Sequence, residues 1–314
     1  MKGLFWARRA DDPRRNRILT TAIEHHAVLD SVRWLSTADG ACADWLGVDG
    51  DGIVGPDVLR AALEQDAVGA AVVTVMWANN EVGAVQPVVA LAEVAHEFGV
   101  PFHTDAVQAA AQLPVDFGAS GADAMTVTAH KLGGPVGVGA LILGRGVAPV
   151  PVLHGGGQER DIRSGTLDAP AIRAFAVAAA SAAKRRANEA MRVAELRDDL
   201  IRQVLAAVPD AVLNGPPPGP SRLPGNAHFS FPGCEGDALL LLLDARGIAC
   251  STGSACTAGV AEPSHVLLAM GADEVRARGS LRFSLGHTTT QADVDALGAA
   301  IGDAVARARR AGTS

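Results

Sequence analysis

Lysine is rare in this chain, and only one lysine has surroundings suited to chemistry. Lys2 lies at the amino end, and Lys184 lies in a Lys-Arg-Arg run typical of an exposed helix face. Lys131 follows an apolar run that predicts a strand, and it precedes the glycine-rich residues 133–139, where a bulky ligand could approach the backbone. Its amine could form a Schiff base with a carbonyl compound. Taken alone, however, Lys131 is more simply interpreted as an exposed lysine on a turn.

Asp105 strengthens the case for Lys131, because it ends a second apolar run. Both residues are therefore expected at the carboxyl edge of a parallel sheet, where ligands usually bind. A buried carboxylate there could pair with a pyridinium nitrogen and keep it protonated. Asp105 could instead cap a following helix. Together, Asp105 and Lys131 favour chemistry on a cofactor that contains a pyridinium ring.

One of the four cysteines is suited to be a nucleophile. Cys256 lies in a run of small residues that predicts an exposed loop, and a thiolate on such a loop could both take sulfur and pass it on. Cys250 is the competitor, but it follows apolar residues and is predicted to end a buried strand. Cys42 and Cys234 have no comparable setting. The cysteines are too few and too scattered for a disulfide framework, and no metal site is predicted.

Alternating apolar and amphipathic runs between Arg17 and Leu143 predict the elements that position these residues. The alternation is typical of an α/β fold in which helices cover a mainly parallel sheet. Pro56–Gln65 and Pro87–Phe98 are expected to be helices, since each opens with a proline. The expected strands are Arg17–Thr21, Ala70–Met76, Pro101–Asp105, Ala124–Thr128 and Gly139–Leu143.

The remainder of the chain predicts a smaller α+β domain. A long helical region from Pro170 to Val208 is followed by a proline-rich loop at 216–220. The predicted domains are residues 1–186, which would bind the cofactor, and residues 187–314, which would carry the cysteine loop. Strands are expected at Ala227–Phe231 and Gly279–Leu285, and helices at Asp237–Arg246, Pro263–Met270 and Gln291–Arg310.

Composition limits the class of protein. The chain has 314 residues, of which 48% are hydrophobic, enough for a large core. A formal net charge of -7 argues against a nucleic-acid-binding surface. The apolar stretches are interrupted before they reach the ~20 residues that would span a bilayer, and no signal-peptide core follows the amino end. A cytoplasmic protein is therefore expected, without a membrane or nucleic-acid partner.

Six segments resemble the aminotransferase class V cysteine desulfurases, particularly the branch that serves iron–sulfur cluster assembly and nitrogen fixation. They occur in the family's order across nearly the whole chain. The resemblance implies a fold type I transferase that depends on pyridoxal 5'-phosphate. The segments are Thr20–Leu29, Met76–Gly83, His103–Gln108, Thr128–Gly139, Gly155–Thr166 and Ser254–Thr257, the last with Glu262–Leu267 downstream.

The resemblance assigns roles around the cofactor ring. It implies that Lys131 carries the cofactor, that Asp105 contacts the pyridine nitrogen, and that His25 stacks on the ring as a candidate for proton transfer. His26 is the neighbouring alternative to His25, and only the motif selects between them. Gln108 and Asn80 would lie near the ring hydroxyl and the substrate.

Further roles concern the phosphate, the substrate and the sulfur. The resemblance implies that Thr128, where the family has serine, and His130 hold the phosphate. Thr166 would reach the phosphate of a partner subunit, which implies a homodimer. Arg282 would bind the substrate carboxylate through its planar fork. Cys256 would receive the sulfur.

The implied activity converts L-cysteine to L-alanine and leaves a persulfide on Cys256. The loop around Cys256 resembles those that pass sulfur to an acceptor or scaffold protein for iron–sulfur cluster assembly or tRNA thiolation. A related pyridoxal enzyme such as selenocysteine lyase is one alternative. A catalytically impaired chain that acts only as a binding partner is another.

The chain resembles a family member truncated at the amino end. Family members carry several tens of residues, including a Gly-Thr-rich turn, before the point that Met1 matches. Because such a turn offers N–H groups to a phosphate, we expect the phosphate site to be incomplete here. A misplaced start is one explanation.

Overall fold

The computed structural model describes residues 1–253 and 262–312, and the chain forms two compact units. The first comprises Met1–Gly47, Val54–Ala78 and Gln86–Arg186. The second comprises Val48–Ile53, Asn79–Val85 and Ala187–Ser314. Two short stretches from the amino-terminal half of the chain therefore belong to the second unit. The division of function between residues 1–186 and 187–314 stays a prediction.

The first unit contains a six-stranded sheet in the order β2-β1-β3-β4-β5-β6. All neighbouring strands are parallel except β5 and β6, which are antiparallel. The predicted α/β class with a mainly parallel sheet is confirmed. The strands are β1 (Arg17–Thr21), β2 (Cys42–Leu46), β3 (Ala70–Thr74), β4 (Phe102–Asp105), β5 (Ala124–Thr128) and β6 (Gly139–Leu143).

Helices cover this sheet and bury apolar side chains against it. They are α1 (Lys2–Asp11), α2 (His26–Ala38), α3 (Pro56–Gln65), α4 (Val88–Glu97) and α5 (Phe117–Ser120). Phe5 of α1 and Leu35 of α2 pack in one fully buried cluster with Ile18 and Val72 of the strands. Each buried side chain of this kind stabilises the folded protein by roughly 1.5–3 kcal/mol. This packing fixes the strand ends that carry the predicted site.

The second unit is built on a three-stranded antiparallel sheet in the order β7-β8-β9. Aromatic and aliphatic side chains of the sheet, including Phe229, Phe231 and Phe283, share a core with Leu239. The strands are β7 (Val212–Leu213), β8 (Asn226–Ser230) and β9 (Ser280–Ser284). The helices are α7 (Gly236–Asp244), α8 (His265–Ala269), α9 (Glu274–Arg278) and α10 (Gln291–Gly312), and the long helix α6 (Ala169–Ala207) enters the unit at Ala187.

The predicted buried strand ending at Cys250 is wrong. Helix α7 closes with Gly247 in a left-handed conformation, and the backbone N–H of Ile248 donates to the carbonyl of Leu243 at 3.1 Å. From Ile248 to Gly253, where the described stretch stops, the chain pairs with β9 only at Ser251. Cys250 is nevertheless half-buried against the core, and burial raises the pKa of its thiol to about 11.

Among the described residues, no helix combines the length and the apolar character needed to cross a membrane.

Candidate active site

Lys131 lies just beyond the carboxyl end of β5. A one-turn 3₁₀ helix, His130–Leu132, begins after the strand and ends at Gly133, which is left-handed with φ 82°. The backbone N–H of Gly134 donates back to the carbonyl of Ala129 at 2.9 Å and closes the turn. The Lys131 side chain is exposed, and it makes no hydrogen bond or ion pair within residues 1–253 and 262–312. The turn therefore presents an amine at the edge of the sheet.

Asp105 lies at the carboxyl end of β4, on the strand next to β5. Its Oδ1 accepts the backbone N–H of Val107 at 2.9 Å, and its carbonyl accepts the N–H of Trp77 at 2.8 Å. Burial raises the pKa of Asp105, while the Val107 bond and nearby His25 oppose the rise. The carboxylate thus supports the following turn, as a cap would, and remains available to a cationic group.

His25 is the N-cap residue of α2. Its Nδ1 accepts the backbone N–H of Ala27 at 3.1 Å, so that nitrogen is unprotonated. Burial lowers the pKa of His25, His26 and Lys131 lower it further, and Asp105 opposes the shift. The imidazole is therefore neutral near pH 7. His25 is therefore close enough to both Asp105 and Lys131 to be influenced by their charges.

Glu24 is a site residue that the sequence interpretation missed. It is fully buried, and its Oε1 accepts the backbone N–H of Met76 at 2.7 Å and the Thr21 hydroxyl at 3.2 Å. Burial is the main reason that its pKa rises to about 8, and the Asp105 charge contributes. A glutamate three residues after the end of β1, and directly before two histidines, was the signal that could have identified it.

The residues predicted to hold a phosphate lie beside Lys131. The Thr128 hydroxyl and Nδ1 of His130 are 3.0 Å apart, and the hydroxyl also donates to the carbonyl of Val138 at 3.3 Å. Gln108 is half-buried after β4, and Thr166 is exposed in the same unit. Hydroxyl, imidazole and amine groups thus gather at one strand end.

Asn80 and Arg282 belong to the second unit and contact each other there. The Arg282 Nη1 donates to the carbonyl of Asn80 at 3.0 Å. On β9, Arg282 lies opposite His228 of β8, and its Nε is buried without a hydrogen-bond partner in the described part of the chain. Ser251 Oγ lies 3.5 Å from its Nη2. Among the described residues, the guanidinium is thus held by a backbone carbonyl and a serine hydroxyl rather than by a carboxylate.

Cys256 lies outside the described residues. Within the described ranges, no group of three or more His, Cys, Asp or Glu side chains could hold a metal ion.

Comparisons with known proteins identify the family. The model of the family described as aminotransferase class-V matches residues 7–297. An "IscS-like cysteine desulfurase" of Mycobacterium tuberculosis is 59% identical over 99% of this chain and 79% of its own length. A solved "NifS-like protein" has a TM-score of 0.86 at 32% identity, over 97% of this chain and 80% of that one. The chain therefore belongs to the aminotransferase class-V family.

Within that family, the similarity is to its cysteine desulfurases, as the sequence motifs predict. A structure described as "SspA in complex with cysteine" is also similar, with a TM-score of 0.73 at 29% identity over 92% of this chain and 78% of that one. The predicted family and the NifS-like fold are both confirmed.

Proposed function

We propose that this chain is a cysteine desulfurase that converts L-cysteine to L-alanine and collects the sulfur on Cys256. The observation that carries the proposal is the cluster of Lys131, Asp105 and His25 at the carboxyl edge of the sheet, in a member of this family. A solved relative described as in complex with cysteine supports the choice of substrate.

The cofactor that we propose is pyridoxal 5'-phosphate, and the donor set fits it. Asp105 is a half-buried carboxylate whose charged form is disfavoured by burial, and its neighbour His25 is neutral, so a cationic ring nitrogen suits it. The Lys131 amine suits the aldehyde. Thr128 and His130 offer a hydroxyl and an imidazole to the phosphate. Gln108, Asn80 and Thr166 keep the roles that the family resemblance implies for them.

Residues of this chain then transfer the protons of the substrate and bind its charged groups. When bound, pyridoxal phosphate supplies an electron sink that acidifies the α-carbon of the substrate. Nζ of Lys131 is the base that removes the α-proton. Asp105 would offer its negative charge to the ring nitrogen, and His25, neutral near pH 7, can relay a proton. Arg282 binds the substrate carboxylate through a charge-assisted pair.

Sulfur transfer needs a thiolate. The Cys256 thiolate forms an S–S bond with the substrate sulfur, the substrate Cβ–S bond breaks, and its electron pair stays on Cβ, which takes up a proton. The α-carbon takes its proton back from Lys131, and the products are L-alanine and a persulfide on Cys256. Burial raises the pKa of Cys250 to about 11 and also raises that of Cys234, so both stay protonated at neutral pH. This favours Cys256 as the nucleophile.

The sulfur then passes to an acceptor or scaffold protein, for iron–sulfur cluster assembly or tRNA thiolation. We further propose a homodimer in which Thr166 completes the partner's phosphate site. Exposed apolar side chains in the first unit support this, among them Val136 at 82% and Val177 at 60% relative exposure, because surfaces of this kind are usually covered in an assembly.

Two substitutions with matched controls test the proposal. Protein supplied with pyridoxal phosphate is expected to turn yellow and to release alanine from L-cysteine, and Lys131→Ala is expected to abolish both. Lys184→Ala removes the exposed lysine of α6 and is expected to change neither. Cys256→Ala is expected to abolish the persulfide, detected by mass spectrometry, whereas Cys42→Ala removes an exposed thiol and is expected to have no effect.

Colourless wild-type protein would overturn the proposal and favour a chain that acts only as a binding partner. Alanine release that survives Cys256→Ala would exclude the persulfide route. Release of selenium from selenocysteine without any reaction of L-cysteine would instead indicate a selenocysteine lyase.

A further inference from the structure

Glu81 of the second unit is a buried carboxyl with no part in the proposed chemistry. It is 3% exposed and lies in the turn that joins Asn79 to Val85. The side-chain Oδ1 of Asn79 accepts the backbone N–H groups of Glu81 at 2.8 Å and Val82 at 2.9 Å. These bonds fix the backbone from which the Glu81 side chain projects.

The Glu81 carboxyl is paired with a serine far away in the sequence. Ser264 Oγ donates to its Oε2 at 2.5 Å, across 183 positions of sequence. The same hydroxyl accepts the N–H of Leu267 at 3.2 Å and caps α8. Both groups are buried, so this bond is shielded from competing water. The start of α8 is thereby attached to the turn that holds Glu81.

Gly253 packs against the same pair of side chains. A Cβ at this position would lie 2.9 Å from Glu81 Oε2 and 2.7 Å from Ser264 Cβ. Gly253 does not have a left-handed backbone, so lack of space, rather than conformation, excludes a side chain. The backbone at Gly253 therefore packs against the two side chains that form the Glu81–Ser264 hydrogen bond.

The two contacts lie on either side of the proposed sulfur acceptor. Gly253 directly precedes residues 254–261, and Ser264 follows them by three positions. We propose that Glu81 is a positioning residue that fixes both ends of the segment bearing Cys256, and that it thereby sets the rate at which Cys256 takes sulfur from the substrate. The inference rests on the proposed function, since it assigns Cys256 as the sulfur acceptor.

The same turn also holds the predicted carboxylate-binding residue. The carbonyl of Asn80, next to Glu81, accepts from Arg282 at 3.0 Å, and the carbonyl of Glu81 accepts from Asn226 Nδ2 at 2.8 Å. Ser251 and Arg282 exchange two backbone hydrogen bonds, of 3.1 Å and 2.7 Å. Arg282 is thus held by backbone groups of this turn and of Ser251, which truncation of the Glu81 side chain leaves in place.

Fixing both ends of a short segment raises the effective concentration of a thiol within it at a given place. Release of one end should slow the attack on sulfur and leave the affinity for L-cysteine unchanged. A residue that serves only general stability would not separate these two quantities.

The test compares Glu81→Ala and Ser264→Ala with Glu262→Ala, which removes an exposed carboxyl beside the same segment. Persulfide on Cys256 is followed by mass spectrometry during a single turnover of L-cysteine. The first two variants are expected to lower kcat about tenfold, because the segment is then held at one end only, with KM within about twofold of the wild-type value. Glu81→Gln keeps an oxygen that can accept from Ser264 and is expected to stay within about threefold of wild type.

A second readout does not depend on turnover. The rate of Cys256 alkylation by iodoacetamide is measured without substrate, and release of one end is expected to make it at least about threefold faster in Ser264→Ala and Glu81→Ala. The double variant is expected to match the slower single variant in turnover, because both changes remove one bond. Gly253→Ala should act in the same direction by forcing the pair apart.

Turnover and alkylation rates equal to those of Glu262→Ala in both single variants would overturn the inference. So would a rise in KM with unchanged kcat, which would place Glu81 in substrate binding. If the wild-type protein forms no persulfide, the proposed function fails, and the alkylation rates still decide whether Glu81 and Ser264 hold the segment.

Discussion

The structure shows two buried carboxyl groups to which the sequence motifs assign no role. Glu24 and Glu81 each lie inside a segment that carries a recognised motif, yet neither is one of the residues to which the motif assigns a role. Burial raises the pKa of Glu24 to about 8 and that of Glu81 to about 7. Each therefore stays protonated to a pH at which an exposed glutamate would be fully charged.

Glu24→Gln is expected to change the pH dependence of stability. A carboxyl whose pKa is raised by folding contributes stability below its unfolded value, near 4.5, and loses that contribution as the pH rises through about 8. Glutamine can still accept the Met76 N–H but cannot ionise. The variant should therefore gain stability relative to wild type between pH 5 and pH 9, by a few kcal/mol at most, measured as urea midpoints.

Glu97→Gln is the control, because folding shifts the pKa of Glu97 in the opposite direction to that of Glu24. The hydrogen bond from Arg60 lowers the pKa of Glu97, so its contribution is present above the unfolded pKa and is lost in acid. The variant should show no relative gain at pH 9. A pH dependence in Glu24→Gln identical to that of wild type would contradict the assignment of a raised pKa to this carboxyl.

The sequence predicted the site residues that lie at or just after strand ends. It did not predict residues whose hydrogen-bond partners are far away in the sequence. Lys131 and Asp105 were identifiable because each directly follows an apolar run. The pairing of Glu81 with Ser264 spans 183 positions, and no local pattern indicates it. The positions of Cys256 and its neighbours stay a prediction.

The bounds of the strands were predicted best where an apolar run is flanked by turn residues, whatever its burial: β6 is largely exposed and has the predicted bounds, whereas the fully buried β3 ends two residues earlier than predicted. The bounds of β1 and β5 agree with the prediction, because their apolar runs lie between clear turn residues. Strand β2 was missed, since it pairs only with β1 at the sheet edge and its residues from Cys42 to Trp45 are exposed or half-buried. An edge strand needs no apolar pattern on both faces, so its sequence resembles a loop.

The turn between Asn79 and Ala84 is an element whose geometry requires glycine. Gly83 has φ 77°, and a Cβ there would lie 2.8 Å from Asn226 Oδ1. Gly83→Ala is expected to destabilise the protein by roughly 2–4 kcal/mol, because left-handed strain and overpacking add. The free energy of unfolding in urea measures the effect.

Gly271→Ala separates the two causes. Gly271 has φ 87° in the same unit, but a Cβ there would meet nothing within 4 Å. Its substitution should cost only about 1–2 kcal/mol from backbone strain. Equal losses in the two variants would mean that the contact with Asn226 contributes nothing.

At the scale of the whole molecule, buried histidines and buried glutamates change stability in opposite directions as the pH rises. Burial lowers the pKa of His228 to about 3 and places that of His103 well below 6.5, so both favour the folded state as the pH rises towards 6.5. Glu24 and Glu81 favour it less as the pH rises above 4.5. The two effects oppose each other between these values.

Stability is therefore expected to change little between pH 4.5 and pH 6.5 and to fall between pH 6.5 and pH 7, where both carboxyls outweigh the buried terminal amine of Met1, whose pKa burial lowers from 8.0 to about 6. Above pH 7 only Glu24 continues to oppose Met1, and the two contributions offset each other. Urea midpoints at half-unit intervals of pH measure this profile. The double variant Glu24→Gln/Glu81→Gln should remove the fall. A wild-type stability that increases steadily from pH 6.5 to pH 8 would contradict the expectation.

The half-buried thiol of Cys250 affects how easily a persulfide on Cys256 could be lost as hydrosulfide. A persulfide on Cys256 would be destroyed if a neighbouring thiolate attacked it, because the attack forms a disulfide and expels hydrosulfide. Cys250 precedes Cys256 by only six residues, but burial raises its pKa to about 11 and keeps it protonated. If Cys256 carries a persulfide as proposed, the packing of Cys250 against the core would keep that sulfur from being lost as hydrosulfide.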